Sequence, residues 1–261
     1  MKIIVCVKQV PDTSSEVKFN PDGTLNRAAM KSIMNPDDKA GLEAALQIKD
    51  KIKGVEITAI TMGLPKAEEV LREALALGAD NAILLTDRAL GGSDTYATSL
   101  ALANAIKNLD YDLIITGRQA IDGDTAQVGP GISEHLGIPV ISYAEKIEIE
   151  DNCVLVNRQY EDRVHIVKAK LPCLVTALSE AITARFMTPK GIWAAYEKPI
   201  KIMTRADLKD VKDEELGLGG SPTKIAKSSD KVKKGAGVQV ELSGKDASDY
   251  IVNILKEKHY I

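Results

Sequence analysis

The sequence predicts an α/β fold, a doubly wound and mostly parallel sheet with an antiparallel addition and an extended C-terminal arm. Three observations predict it. Short apolar runs alternate with helical patterns up to Pro139, which specifies β-α-β units with right-handed crossovers. Beyond Pro139 the apolar runs follow one another with short connections, and from about Ser179 the alternation ends.

The strands are predicted from continuous apolar runs, which are typical of strands buried on both faces of a parallel sheet. The runs cover residues 3–7, 55–62, 81–85, 111–116 and 171–177. Helical patterns lie between the earlier runs, at residues 35–47, 66–77, 94–109 and within 125–136. Three further runs, closely spaced, predict the antiparallel addition at residues 147–149, 154–156 and 164–167.

The first helix carries a clear start signal. We expect Asn35 to cap it, with Pro36 in the first turn and the carboxylates of Asp37 and Asp38 favoured by the helix dipole. Before this helix, Asn20-Pro21-Asp22-Gly23 predicts a turn.

The sequence divides into an α/β domain of residues 1–195 and a C-terminal arm of residues 196–261. Residues 197–234 are rich in lysine, glycine and proline, which indicates either a free tail or an arm folded against another subunit. A helix is predicted at 246–258, and its apolar face consists of Tyr250, Ile251, Ile254 and Leu255. Docking of this face onto a partner is favoured over packing within the chain.

Composition excludes several classes of protein. The chain has 261 residues and a formal net charge of −3, which suits a soluble globular protein and argues against nucleic-acid binding. No apolar run approaches the roughly 20 residues of a membrane span, and the N-terminal run is too short for a signal peptide. Three widely separated cysteines indicate reduced thiols in a cytoplasmic protein without a metal site.

Motifs of self-sufficient enzymes are missing from the sequence. It contains no Gly-x-Gly-x-x-Gly after a strand, no Walker loop, no His-Glu-x-x-His and no Gly-x-Ser-x-Gly. Because no nucleophile and base stand out either, we predict no catalytic residue in this chain.

The most informative stretch runs from Gly117 to Gly129. It begins at the carboxyl end of a predicted strand, where open parallel sheets bind their ligands, and leads into a helix. Its glycines permit close backbone approach, and Asp124 or Thr125 is expected to cap a helix whose first amides would meet a phosphate. An ordinary capped turn is the alternative, but it needs fewer polar residues.

Three other loops follow predicted strands and should meet at the same edge of the sheet. They are Lys8 to Thr13, Thr61 to Gly63, and Gly91 to Thr95 with Thr98. Together they predict a pocket lined by backbone amides and hydroxyls, with Met62 as an adaptable apolar wall.

These segments carry a family resemblance. The runs Val5–Thr13, Asn35-Pro36 and Gly117–Thr125, and the segment from Arg158 to Thr176, resemble the β subunits of electron transfer flavoproteins over essentially the whole chain. The sequence departs from the family pattern at Asp162-Arg163-Val164-His165. The resemblance implies an adenine nucleotide α-hydrolase-like domain and an arm that embraces an α subunit.

The family has two branches, which differ in the nucleotide of the β subunit. In one the cleft holds AMP as a structural ligand, and in the other it holds FAD that accepts hydride from NADH. Val10-Pro11-Asp12-Thr13 and Asn35-Pro36-Asp37-Asp38 resemble the second, electron-bifurcating branch. That branch implies electron transfer to the FAD of the α subunit and a dehydrogenase of acyl-CoA, enoyl-CoA or 2-hydroxy-acid type, and to ferredoxin. The chain would then be redox-active only within such a complex.

The resemblance also implies a set of cofactor-binding residues. Those expected to hold the ribose and diphosphate are Asp122, Gly123, Asp124, Thr125, Gln127, Val128 and Gly129. Those expected to line the adenosine side or the ring edge are Cys6, Val7, Lys8, Asn35, Asp38, Met62 and Gly63. Thr95 and Thr98 are candidates for donors near the isoalloxazine.

The segment from Ala184 to Ile192 resembles the loop with which the family recognises its dehydrogenase. The residues implied are Arg185, Phe186, Met187, Pro189 and Lys190. The alternative is a connection at the sheet edge whose apolar residues face the core. For the whole chain, a pure AMP-binding scaffold and a stress-type nucleotide-binding regulator are the other functions considered.

Overall fold

The computed structural model describes residues 1–12, 31–223 and 237–261. The chain divides into two compact units, Met1–Lys224 and Ile225–Ile261, and each is described by itself. The turn predicted at Asn20-Pro21-Asp22-Gly23 and the predicted loop residue Thr13 lie outside the described residues.

Strands and helices alternate in the first unit. Its strands are β1 (Lys2–Cys6), β2 (Gln9–Pro11), β3 (Ser32–Met34), β4 (Glu56–Met62), β5 (Asn81–Leu85), β6 (Leu113–Gly117), β7 (Val140–Glu150), β8 (Cys153–Gln159), β9 (Val164–Lys170), β10 (Cys173–Ala177) and β11 (Lys201–Met203). Its helices are α1 (Pro36–Lys51), α2 (Glu68–Leu77), α3 (Thr95–Lys107), α4 (Val128–Leu136), α5 (Pro189–Glu197) and α6 (Gly217–Gly220).

Nine of these strands form one large mixed sheet, in the order β11-β5-β4-β1-β6-β10-β7-β8-β9, and β2 and β3 form a separate antiparallel pair. All neighbours from β11 to β7 are parallel, and β7, β8 and β9 are antiparallel to one another. The predicted fold class is therefore confirmed. The chain runs outward from β1 in both directions, so the strand order reverses between β1 and β6.

Each face of the sheet is covered by helices, which explains the continuous apolar runs. In β1, Ile3 and Val5 point into the core beneath α1 and α2, whereas Ile4 and Cys6 point into the core beneath α3 and α4. A side chain of this size stabilises the fold by about 1.5–3 kcal/mol when it is fully buried. Because both faces of the central strands β1, β6 and β10 are buried, these strands lack the alternation of apolar and polar residues that a half-exposed strand shows.

Residues 196–223 lie with the first unit, beyond the predicted domain boundary at residue 195. β11 extends the sheet in parallel with β5, and Leu208 and Leu216 are buried in the second core. The Arg205 guanidinium donates hydrogen bonds to the carbonyls of Leu208 and Val211, which closes this segment. Contact between the arm and another subunit stays a prediction.

The second unit contains the predicted C-terminal helix, α7 (Gly244–Glu257). Ser243 caps it by accepting a hydrogen bond from the Asp246 amide. None of its residues is buried within the described chain, and Tyr250 and Ile251 are exposed. Among the described ranges of both units, no helix has the length and apolar composition to span a membrane.

Candidate functional site

A cleft of about 420 Å³ lies at the carboxyl ends of β1, β4 and β6. It opens where the strand order reverses, because the loops that follow β1 and β6 turn to opposite faces of the sheet and leave a crevice between them. Two of the four predicted loops, Gly117–Gly129 and Gly91–Thr95, supply most of its walls. The other two contribute one residue each, Lys8 and Met62.

The structure brings most of the predicted cofactor-binding residues together. Those that line the cleft are Cys6, Val7, Lys8, Asp38, Met62, Thr95, Thr98, Gly123, Thr125, Val128 and Gly129. Those outside the lining are Asn35, Gly63, Asp122, Asp124 and Gln127. Every residue of this second group except Gly63 forms a hydrogen bond with a residue that does line the cleft. Nucleotide binding by these residues stays a prediction.

Asp38 joins the two loops that form the floor of the cleft. Its Oδ2 accepts a hydrogen bond from the Lys8 amide at 2.9 Å, and its Oδ1 accepts one from the Gly117 amide at 3.0 Å. Burial raises the pKa of Asp38 to about 7, although both amide bonds favour the charged form. Burial, with the nearby Asp38 charge, also raises the pKa of the Cys6 thiol to about 12. Cys6 is therefore a neutral wall residue and not a nucleophile.

Asn35 stands at the start of α1 as predicted, but its side chain does not cap the helix. Asn35 is fully buried, and its Nδ2 donates to the Gln119 carbonyl at 2.8 Å while its Oδ1 accepts from the Ile121 amide at 3.1 Å. Its amide group thus matches one donor and one acceptor of the loop after β6. The capping prediction was wrong because this distant loop competes for the side chain.

The predicted caps of α4 were also wrong. The helix begins at Val128, after Gln127, and neither Asp124 nor Thr125 caps it. Asp124 and Ala126 have left-handed backbone conformations, with φ of 49° and 53°, so the chain cannot enter the helix earlier. The Asp124 carboxylate instead accepts a hydrogen bond from Gln119 Nε2 at 3.0 Å, which stabilises the loop internally.

Gly129 brings the N-terminus of α4 close to the sheet. A Cβ at this position would lie 2.6 Å from Thr116 Oγ1 and 3.0 Å from Thr176 Cγ2, so only glycine fits. The amides of Val128 and Gly129 belong to the first turn and have no intrahelical partner. They are the donors that this helix offers to a ligand in the cleft.

Two side-chain pairs tie the walls of the cleft together. Lys8 Nζ forms an ion pair with both carboxylate oxygens of Asp122, at 2.7 and 2.9 Å, and thereby joins the loops after β1 and β6. Thr95 Oγ1 donates to Gln127 Oε1 at 2.7 Å, which joins the starts of α3 and α4. These contacts position the predicted residues that do not themselves face the cavity.

Several lining residues were not among the predicted site residues. They are Ile60, Leu90, Gly92, Ser93, Asp94, Leu102, Thr116, Gly117, Arg118, Gln119 and Ala120. The apolar members carry no chemical signal that would separate them from core residues. Arg118 does carry one, since it is a cation at the end of a buried strand in the loop already singled out.

The predicted recognition segment leads into α5, a helix that was not predicted from the sequence. Phe186 is 95% exposed and Met187 is also exposed, so the alternative in which they face the core is not observed. Pro189 and Lys190 form the first turn of α5, which Thr188 caps.

Arg185 anchors this segment to α1. Its Nε lies 2.8 Å from Glu43 Oε2 and its Nη2 lies 2.7 Å from Asp50 Oδ2. Hydrogen bonds with Glu43 and Asp50 raise the pKa of Arg185 further above its usual value. Of the predicted recognition residues, Arg185 is therefore committed to internal contacts, and Phe186 is the one most available to a partner.

The fold defines a doubly wound α/β protein, and its cleft lies at the switch point of the sheet. An electron transfer flavoprotein domain matches residues 22–208. The chain is 51% identical over the full length of both chains to an electron transfer flavoprotein subunit beta of Clostridium acetobutylicum. It is also 48% identical to the subunit CarD of the caffeyl-CoA reductase-Etf complex of Acetobacterium woodii, again over both whole chains. An acryloyl-CoA reductase electron transfer subunit gamma of Anaerotignum propionicum is 47% identical, likewise end to end.

The chain belongs to the electron transfer flavoprotein family, and it aligns from end to end with β subunits. The family resemblance inferred from its motifs is thereby confirmed.

Proposed function

We propose that this chain is the β subunit of an electron-bifurcating flavoprotein and that its cleft binds FAD. The bound flavin would accept hydride from NADH and pass single electrons onward. One electron would go through the α subunit to a flavin-dependent dehydrogenase, and the other to ferredoxin. Similarity to subunits named for caffeyl-CoA reductase and acryloyl-CoA reductase supports an acyl-CoA or enoyl-CoA type of dehydrogenase.

The observation that carries this proposal is the mixed lining of the cleft. Polar contacts for a ribose and phosphates come from Lys8, Thr125 and the first amides of α4. Apolar side chains continue the same cavity at Ile60, Met62, Leu90 and Leu102. FAD combines a charged nucleotide part with a planar, largely apolar ring system, and this lining offers a surface to both.

The residues of this chain would bind and orient the cofactor. The Val128 and Gly129 amides, at the positive end of α4, suit phosphate oxygens. Thr95 lines the cleft with its hydroxyl held by Gln127, and Thr98 lies one turn further along α3. The Thr98 hydroxyl is the donor that we assign to the ring edge, whereas the Thr95 hydroxyl, which donates its hydrogen to Gln127, can only accept a hydrogen bond there.

Cofactor stoichiometry tests this proposal. The chain is purified with its α subunit, the nucleotides are released with acid, and FAD and AMP are quantified. We expect two FAD and no AMP for each heterodimer, and bleaching of both flavins when NADH is added without oxygen. One FAD and one AMP would overturn the proposal and leave a structural nucleotide site in a simple electron carrier.

We also propose that Phe186 contacts the dehydrogenase. Replacing this exposed ring by Phe186→Ser is expected to weaken the dehydrogenase interaction roughly tenfold or more, as for an aromatic anchor, without changing nucleotide content. The measurement is electron transfer as a function of the concentration of an acyl-CoA dehydrogenase from the same organism.

The matched control is Ile166→Ser, which replaces an exposed apolar residue of β9, a strand at the edge of the large sheet. It should leave the interaction unchanged. An apparent affinity that is equal in Phe186→Ser, Ile166→Ser and wild type would exclude Phe186 from the interface.

A further inference from the structure

Arg118 directly follows β6 and lines the cleft, and its side chain makes only weak contacts with the rest of the protein. Its amide donates to the Ala177 carbonyl at 2.9 Å, which fixes its backbone against β10. The guanidinium has two acidic neighbours, with Nε 3.3 Å from Asp37 Oδ2 and Nη1 3.4 Å from Glu180 Oε1. Neither contact has hydrogen-bond geometry, and Nε is buried without a hydrogen-bond acceptor among the described residues.

Two other arginines of the same unit differ from Arg118, because their guanidinium groups form hydrogen bonds within the chain. Arg72 donates to the carbonyls of Ala195 and Lys198, both at 2.7 Å. Arg185 makes side-chain hydrogen bonds of 2.7–3.1 Å with Glu43 and Asp50. Arg118 makes none with the part of the chain that the structure describes, although its side chain is only 24% exposed.

The two acidic neighbours of Arg118 differ in how easily they can be exchanged. Asp37 is buried, and its other oxygen is held by the amide and hydroxyl of Ser179. Separating Asp37 from Arg118 would leave a buried charge unpaired, which is costly. Glu180 is 60% exposed at its side chain, so water can replace the guanidinium at little cost.

We propose that Arg118 binds a phosphate group of the nucleotide in the cleft, keeping Nε against Asp37 and exchanging Glu180 for the phosphate. The inference rests on the proposed function, because it requires a nucleotide in this cleft. A guanidinium presents its two terminal nitrogens as a planar fork that matches two phosphate oxygens. Asp37 is then a positioning residue. Glu180 competes with the phosphate for the guanidinium and pairs with it when no ligand is bound.

The test compares a ligand that carries phosphate with one that does not. Adenosine and AMP are titrated calorimetrically into heterodimers from which bound nucleotide has been removed. The α subunit is the same throughout, so differences between variants report on this chain. Arg118→Gln is expected to weaken AMP binding about ten- to hundredfold, the value of a charge-assisted hydrogen bond, and to leave adenosine binding unchanged.

Glu180→Gln is expected to change AMP binding in the opposite direction to Arg118→Gln. A purely structural role for Arg118 does not predict this opposite effect. Removing the competing carboxylate should tighten AMP binding by about two- to fivefold, the value of a surface ion pair, without affecting adenosine. This variant keeps the inference testable if Arg118→Gln fails to fold. Arg163→Gln, the same charge change in the exposed turn after β8, is the control and should bind both ligands as wild type does.

The outcomes separate the two proposals. If wild type binds neither adenosine nor AMP, the proposed nucleotide site itself fails. If wild type prefers AMP but Arg118→Gln keeps that preference, or loses adenosine and AMP equally, the role of Arg118 is overturned while the nucleotide site stands. An unchanged AMP affinity in Glu180→Gln overturns the exchange.

Discussion

Substitution of Gly117 by alanine is expected to destabilise the protein by about 3 kcal/mol or more, the upper end of overpacking costs in a rigid core. A Cβ at this position would lie 2.7 Å from the backbone nitrogen of Asp38 and 2.7 Å from Asp37 Cβ, and it would overlap Asp38 Oδ1. Backbone atoms in the first turn of α1 cannot move aside as the tip of a flexible side chain can. The methyl group must therefore push α1 away from β6 or distort the end of that strand.

The same substitution should also empty the cleft. The Gly117 amide donates to Asp38, which in turn holds the Lys8 amide, so a displaced helix α1 releases both loops of the floor. We expect Gly117→Ala heterodimers to lose the nucleotide that we propose for this cleft and to unfold at lower denaturant concentration. Equilibrium unfolding in urea and acid release of nucleotides measure the two effects.

Gly123→Ala is the matched control for this prediction. Gly123 lies in the same loop and lines the same cleft, but a Cβ there meets no atom within 4 Å. Its free energy of unfolding should stay within about 0.5 kcal/mol of wild type. Equal stabilities of Gly117→Ala and Gly123→Ala would contradict the close approach of α1 to β6.

The sheet was predictable because its signals are local. Each central strand is a continuous apolar run, and the helices between them have their own periodicity, so β1, β4, β5, β6 and β10 were all identified. β11 was missed because it has only three residues, and Ile202 is exposed while Met203 is buried. α5 was missed because Trp193 and Tyr196 point to solvent, so its apolar residues do not form a core-facing stripe.

The site was predictable in its location and much less so in its internal contacts. Strand order places the loops after β1 and β6 together, so most predicted residues meet at one cleft. Asn35, Asp37 and Asp38 were predicted to stabilise the start of α1, whereas in the structure their side chains hold Gln119, Ser179 and Gly117. Those partners are 79 or more residues away, and no local rule predicts such a choice.

The burial of Asp38 predicts a pH dependence of stability with a definite sign. Its pKa is raised from 3.8 to about 7 in the fold, chiefly by desolvation. Between these two values the folded state holds a proton that the unfolded state has released, so the free energy of unfolding falls as pH rises. The stability that the folded state gains by keeping Asp38 protonated is fully present below about pH 4 and lost above about pH 7.

Asp38→Asn isolates this contribution because the asparagine cannot ionise. It loses one acceptor for the Lys8 and Gly117 amides, but that loss adds nearly the same offset at every pH. The stability of Asp38→Asn relative to wild type should therefore increase between pH 5 and pH 8, by on the order of 2 kcal/mol. Urea unfolding of the heterodimer at a series of pH values measures the difference, and groups common to both proteins cancel.

Asp162→Asn provides the same chemical change in the exposed turn after β8, and its curve should run parallel to wild type. If the Asp38→Asn curve also runs parallel to wild type, Asp38 does not change protonation in this window and the desolvation argument fails. If the stability of Asp38→Asn relative to wild type increases with pH only while nucleotide is bound, the charge on Asp38 responds to the ligand and not to burial alone. If the same increase is seen in the nucleotide-free heterodimer, burial beneath Gly117 is its cause.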